Sequence, residues 1–553
     1  STQGVSSAAS DVYKRQNLAP GDATIRLNTL GDLVLGGVTD PGRAATPNTS
    51  AFAAGGLQPA GGGNAWFSLW SGRSAIDLVA AGGDLTPLTA LRGINDSAVQ
   101  TVVRDGWIVY PSIFRVAALS GSLYYGSAAQ PRAIDRPEAM NVGLVLAPSA
   151  TGELELLAGG SIHAGRLAIG MSGSGAALPT PFDPAFAGTD IAGSGELIAS
   201  NLAANALATS GVPTLFAFGP NSASIPLERA ADAPPIRIYA AGGDIVALKT
   251  GETVTFGGGV DTWFNAARPV RIRAARDIVN TGDAPGSATG GATELGGAAL
   301  RGNLIVHTHP NDVSIVSAGR DILYANFDIA GPGTLEVSAG RNLLQEDRGG
   351  IVSVGPVATG DTRRGASIAL MAGIGAEAAT RGLDMSAIRA RYLDPANRAE
   401  AGTPLAEQPG KAVTTYEREL ADWLKTRYGF EGDTARSLAY FDALAPEQQR
   451  IFLREVYYAE LRAGGREYND AASSRSGSYL RGREMIATLF PARDAAGQAI
   501  ARGGDITMFG GSGVRTDFGG EIEMLAPGGQ IIAGVQGAVP PAGAGVMLSL
   551  IHI

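Results

Sequence analysis

His307 and His309, in the stretch IVHTHPND, stand two residues apart. On an extended chain that spacing puts both imidazoles on one face, where a His-x-His pair can hold a metal ion. The remaining histidines are His163 and His552, so no third imidazole is near in sequence. Two surface or loop histidines are the competing reading. GGSGVRTDFGG (510–520) has the glycines of a calcium-binding loop, but the nonapeptide pattern of calcium-binding solenoids is absent and Asp517 is misplaced for it. Ser172 in MSGSGA lacks the glycine two residues on that a nucleophile elbow needs. Gly410-Lys411 is followed by Ala412 and has no upstream glycine, so it is not a phosphate-cradling loop. Polysaccharide-cleaving chemistry needs two or three carboxylates, or an arginine with carboxylates, converging from neighbouring segments. Asp277, Asp321 and Asn342 recur at equivalent places, each preceded by an arginine (Arg276, Arg320, Arg341). A catalytic constellation is a local departure from a repeat, whereas these residues are the repeat, which favours a structural role. The sequence therefore assigns no catalytic, cofactor-binding or metal-ligating residue. The chain is expected not to be an enzyme and to need no cofactor.

What positions those recurring residues is a beat along the chain. AAGGDL (80–85), LAGGSI (157–162), AAGGDI (240–245), RAARDI (273–278), SAGRDI (317–322), SAGRNL (338–343), ARGGDI (501–506) and LAPGGQI (525–531) are copies of one phrase, with a weaker relative, GNL, at 302–304. The polar residue falls at 277, 303, 321 and 342, at intervals of 26, 18 and 21 residues. A fluctuating period near 20 marks a solenoid. In LEVSAGRNL, alternation puts Leu335, Val337 and Ala339 on one face of a short strand and Glu336 and Ser338 on the other. Gly340 supplies a corner with φ > 0, and Asn342 bonds turn backbone or stacks on its equivalent one coil away. IRIYAAGGDI (236–245) and VSIVSAGRDI (313–322) carry one extra residue before the corner, as a bulge or a differently set strand. The expected fold is all-β: a right-handed parallel β-helix of at most about 17–20 coils.

One segment changes period. From 382 to 490, 31 of 109 residues are charged, against 17% for the whole chain. TTYERELADWLKTRYGF (414–430) aligns Tyr416, Leu420, Leu424 and Tyr428 at helical spacing. DTARSLAYFDAL (433–444), APEQQRIFLREVYYAELRAGG (445–465) and SYLRGREMIATLFP (478–491) read as further helices, with Pro446 at a favoured first-turn position and Gly464-Gly465 as a stop. The aromatics of these helices, among them Trp423, Tyr440, Phe441, Phe452, Tyr457 and Tyr458, serve either as a small core packed on the solenoid or as a protein-binding face. The expected organisation is coils and loops over 17–381, a helical insert over 382–495 and resumed coils over 496–546. The ends 1–16 and 547–553 resemble translated sequencing-adapter read-through and stand outside this scheme.

Composition agrees with narrow coils. Glycine numbers 78 of 553 residues, aromatics are 6%, and cysteine is absent, so there is no disulfide or thiolate metal site. A net charge of −9 with four lysines disfavours a nucleic-acid partner, and no stretch approaches the 18 apolar residues of a membrane-spanning helix.

The AGGDI/AGRDI coils, RYLDPAN (391–397), LREVYYAELRAGGREY (453–468), YLRGREMIATLFP and VRTDFGGEIEMLAPGG together resemble the C-terminal portion of filamentous-haemagglutinin-type exoproteins of two-partner secretion systems. The resemblance covers roughly 130–545 and is best over 380–535. It implies a secreted bacterial rod on the outer face of a Gram-negative cell, an adhesin that meets a receptor or glycan on a neighbouring surface, with an outer-membrane transporter as export partner. Two rivals remain open: the stalk of a contact-dependent toxin delivery protein, and a polysaccharide-acting β-helix enzyme.

Overall fold

A computed structural model describes residues 20–35, 68–87, 107–125, 143–173, 232–256, 268–282, 303–345, 350–356, 360–494, 502–508 and 513–534, with a few shorter pieces between them. The ends 1–16 and 549–553 lie outside the described residues. Mostly parallel strands in stacked sheets form the body. One ten-stranded parallel sheet takes its strands in chain order, from Thr24–Thr29 through Ile236–Ala240, Val270–Ala274, Val313–Ala318, Thr334–Ala339 and Ser367–Met371 to Ile522–Leu525. A second, of two- and three-residue strands, follows the same order from Leu33–Val34 to Ile531–Ala533. A five-stranded parallel sheet, Leu304–Val306 to Gly545–Leu548, and a three-stranded one, Trp107–Tyr110 to Ile169–Met171, occupy a third position.

The alternation read from the sequence builds the core. Ala80, Ala118, Ala158, Ala240, Ala274, Ala318 and Ala339 pair one above the next and are all buried. In the second sheet, inward Leu and Ile stack from Leu33 through Leu85, Leu123, Ile162, Ile245, Ile278, Ile322 and Leu343 to Ile506. Each such side chain removed from water contributes about 1.5–3 kcal/mol. The registers from Ile236↔Val270 to Ala240↔Ala274, and from Arg271↔Ile315 to Ala274↔Ala318, run without a break. The extra residue expected in IRIYAAGGDI thus belongs to its corner, where Ala241–Asp244 face Ala275–Asp277, and VSIVSAGRDI has none.

The corner glycine is also differently employed. Gly340 is not among the residues with positive φ; that backbone falls instead on Ala247, Asn280 and Tyr324, three residues past the corner aspartate. A Cβ on Gly340 would stand 2.0 Å from the Gly319 carbonyl oxygen, and one on Gly319 2.1 Å from that of Ala275. The glycines let one coil approach the next.

Among the described residues, helices occupy one stretch: α1 (Ala376–Arg381), α2 (Ser386–Tyr392), α3 (Glu417–Tyr428), α4 (Thr434–Ala443), α5 (Pro446–Asn469) and α6 (Leu480–Leu489). Leu420 and Leu424, with Tyr416 just ahead of α3, pack on Phe441, Phe452, Val456 and Met485 in a second core. Gly464 and Gly465 do not stop α5, which runs on to Asn469. Gly464 is buried, and a Cβ there would meet the Gly482 backbone nitrogen at 3.0 Å, so the glycine permits α5 and α6 to touch.

The strands ignore this stretch. Leu343↔Ile506, Ile351↔Val514 and Ile368↔Ile522 pair directly across it. Since Ser338 faces Met371 and Leu343 faces Ile506, Gly340 corresponds to Gly373, Arg341 to Gly504 and Asn342 to Asp505. The backbone of Gly373 lies against Gly504. One corner, Ala372-Gly373 then Gly504-Asp505-Ile506, is thereby assembled from two halves with the helices between its glycines.

Candidate functional site

The recurring polar residues form a ladder. Asp32 Oδ1 accepts the backbone N–H of Asp84 at 2.8 Å, and Asp84 Oδ1 that of Ser122 at 2.9 Å. Ser122 Oγ accepts from Ser161, and Ser161 Oγ from Asp244, each at 3.0 Å. Asp244, Asp277, Asp321 and Asn342 continue it to Asp505, and Asp505 Oδ1 accepts from Gln530 at 2.7 Å. Every rung satisfies an amide that the corner would leave unpaired. The arginines belong to the same device: Arg320 Nε donates to Asp277 Oδ1 at 3.1 Å, Arg341 pairs with Asp321, and Arg276 with Asp244 at 3.6 Å. These groups are spread along the stack, one per coil, and do not converge.

His307 and His309 do not share a strand face. The strand ends at Val306, and the chain turns over Asp312, whose Oδ2 accepts the backbone N–H of both Thr308 and His309. His307 is neither surface nor loop filler, since it is fully buried. Its Nε2 lies 2.7 Å from Ser314 Oγ and its Nδ1 2.9 Å from the Pro332 carbonyl oxygen. Ser314 Oγ also accepts the Val270 N–H at 2.9 Å. Nδ1–H donates to the Pro332 carbonyl, and in the neutral imidazole that burial favours, Nε2 accepts from the Ser314 hydroxyl. Burial lowers His307 to about 4. Ser314 is as buried as its partner, so this Ser–His pair has no access to substrate.

Asp517 is buried beside Arg515, whose Nε lies 2.7 Å from its Oδ1, and burial raises its carboxyl. Ser172 is buried just past the strand Ile169–Met171. Lys411 Nζ donates to the Ala396 carbonyl at 2.8 Å. Trp423, Tyr440, Phe441 and Phe452 pack ring against ring in the helical core, and the Tyr458 hydroxyl donates to the Met524 carbonyl at 3.1 Å. Among the described residues, no group of three or more His, Asp or Glu side chains is arranged to hold a metal ion.

One concave feature was not legible in the sequence. Cavities of about 280 and 660 Å³ lie between α5 and the last strands of the first sheet, sharing Arg364, Glu455, Gly520, Glu521 and Glu523. Its floor is ionic. Glu336, 1% exposed, receives Arg450 Nη2 at 3.0 Å and Arg454 Nη1 at 2.9 Å, and Arg454 Nε reaches Glu523 at 2.7 Å. Despite burial, the two guanidinium groups hold the Glu336 carboxyl below its ordinary value. No family model, curated protein or solved structure matches this chain.

Proposed function

We propose that the chain is a right-handed parallel β-helix serving as the rod of a secreted, surface-displayed exoprotein of the filamentous-haemagglutinin type, exported through an outer-membrane transporter. Its work is to extend and to present the helical segment and loops to a neighbouring surface, with no catalytic step. The observation that carries this reading is the unbroken corner ladder from Asp32 to Gln530. It commits the recurring carboxylates and hydroxyls to holding successive coils together, as a load-resisting rod requires. Beads coated with the protein and allowed to settle on panels of animal and bacterial cells test the proposal. Retention that soluble protein competes away supports it. Retention no better than that of an unrelated β-rich protein on every surface, with product release from a polysaccharide panel, would replace it with the enzymatic reading.

A further inference from the structure

The two long sheets differ on their outer faces. The outward column of the first is charged, with Asp77, Arg115, Arg237 and Arg271 half exposed. The helices dock there, where Arg450 and Arg454 reach Glu336 and Glu523. The outward column of the second sheet starts at Val34 and ends at Ile532, 42% and 46% exposed. Every residue between them is half exposed as well, and Val246, Val279, Leu323 and Leu344 make its middle aliphatic. Across a ten-stranded sheet, steps of about 4.8 Å make the column about 43 Å long. An apolar row of that length on an outer face marks an interaction surface. We propose that two copies of the chain pair side by side and antiparallel along this column, about a two-fold axis between Val246 and Val279.

The order of the column selects the occupant. Reversed about that axis, Val246 meets Val279 of the second copy, Thr86 meets Thr507 and Val34 meets Ile532. Tyr124 and His163, whose rings stack at 4.8 Å, come over Leu344 and Leu323. Aliphatic meets aliphatic, hydroxyl meets hydroxyl and the two rings meet leucines. The column is therefore complementary to its own reverse, as an isologous interface requires. An axis along the stack would instead set each residue on itself, with His163 on His163. The corner row beside the column also favours reversal. Arg276, Arg320 and Arg341 lie in consecutive corners, and the side chains of Arg276 and Arg341 are 51% and 53% exposed. Antiparallel pairing brings those corners alongside Asp244, Ser161 and Ser122 of the second copy, whose corners carry no arginine. With these rims the face is on the order of 800 Å² per copy, the size of an ordinary specific interface. The inference uses the second sheet alone and does not depend on the exoprotein reading.

Cysteine is absent, so introduced cysteines report contacts between copies without background. Sedimentation of the wild-type chain at up to about 100 μM should give twice the chain mass. Val246→Cys, beside the axis, should join to itself through a short bis-maleimide linker. Leu323→Cys should not join to itself but should join to His163→Cys when the two proteins are mixed. Arg26→Cys, on the first sheet, should stay unlinked. Val279→Asp places a charge on the outer face, where water solvates it in the single chain, and should weaken the dimer at least about a hundredfold. A chain that stays monomeric at about 100 μM overturns the proposal, whatever else the column might meet. So does Leu323→Cys linking to itself as fast as to His163→Cys, which would make the pair parallel. A dimer that Val279→Asp leaves intact overturns it too, and the linking pattern decides if that variant fails to fold.

Discussion

At the scale of single residues, the ladder was readable and the reason for its glycines was not. Asn342 and its counterparts announce themselves by recurrence, and turn chemistry already gives an Asx side chain a backbone partner. Gly340 invited a positive-φ reading, because a sequence shows conformational freedom and inter-coil clearance as the same letter. The two explanations predict different mutants. Gly340→Ala would drive a Cβ to 2.0 Å from the Gly319 oxygen, whereas Gly503 has open space around its would-be Cβ. Gly340→Ala should cost about 3 kcal/mol or more in urea denaturation, and Gly503→Ala should stay within about 0.5 kcal/mol of wild type. Near-equal midpoints for the two would refute the clearance argument. His307 yields a pH prediction. Its folded value of about 4 lies below the ordinary 6.5, so its contribution is complete above 6.5 and is lost as pH falls toward 4. That limb should remove on the order of 3 kcal/mol. His307→Phe should flatten it while lowering stability at pH 7, since Ser314 and the Pro332 carbonyl lose their partner.

At the scale of elements, periodicity found the strands and the main helices but not what lies over them. The outward column of the first sheet runs Arg26, Asp77, Arg115, Glu155, Arg237 and Arg271, an alternation of solvated charge for most of its length. Glu336, two coils further on, belongs to the same column and would be read as solvated too. α5 covers it instead, and even Ser338 is buried, with its Oγ donating to the Ala379 carbonyl. A single strand's pattern cannot reveal a covering helix whose own charged residues, Arg450 and Arg454, look like surface. Glu336→Gln leaves two buried guanidinium groups short of charge and should cost about 3–5 kcal/mol. The loss should be local: limited proteolysis should cut within 376–490 well before the sheets. Uniform cleavage across both regions, or no change in rate, would show that the cluster does not dock the helices. The same mutation should leave the corner ladder untouched, because none of its rungs passes through Glu336.

At the scale of the whole molecule, the beat of the coils was visible, but the corner divided by the helices was not. ARGGDI at 501–506 looks like a complete copy of the phrase, so nothing in the sequence says that its first glycine is not the one used. The pairing says so. Against the coil before, Ser338↔Met371 on one side and Leu343↔Ile506 on the other leave room for Ala372, Gly373, Gly504 and Asp505. Gly504 occupies the place of Arg341 in the coil before, and a Cβ on it would meet the Arg341 oxygen at 2.1 Å, the same crowding found at Gly319. Joining Gly373 directly to Gly504 would write Ala-Gly-Gly-Asp-Ile, the letters already present at 241–245, in register with the coil before. Deleting 374–503 should therefore give a folded protein. Its far-UV dichroism should lose the helical signal and keep the β signal, and its thermal transition should remain cooperative. Glu336 and Glu523, freed of their arginines, would regain water and need no partner. A deletion protein that aggregates or melts without a transition would mean that the helices clamp the stack and that its last coils cannot hold their register without them. A cooperative one would mean that the stack is complete in itself and carries the helices as a passenger at a single corner.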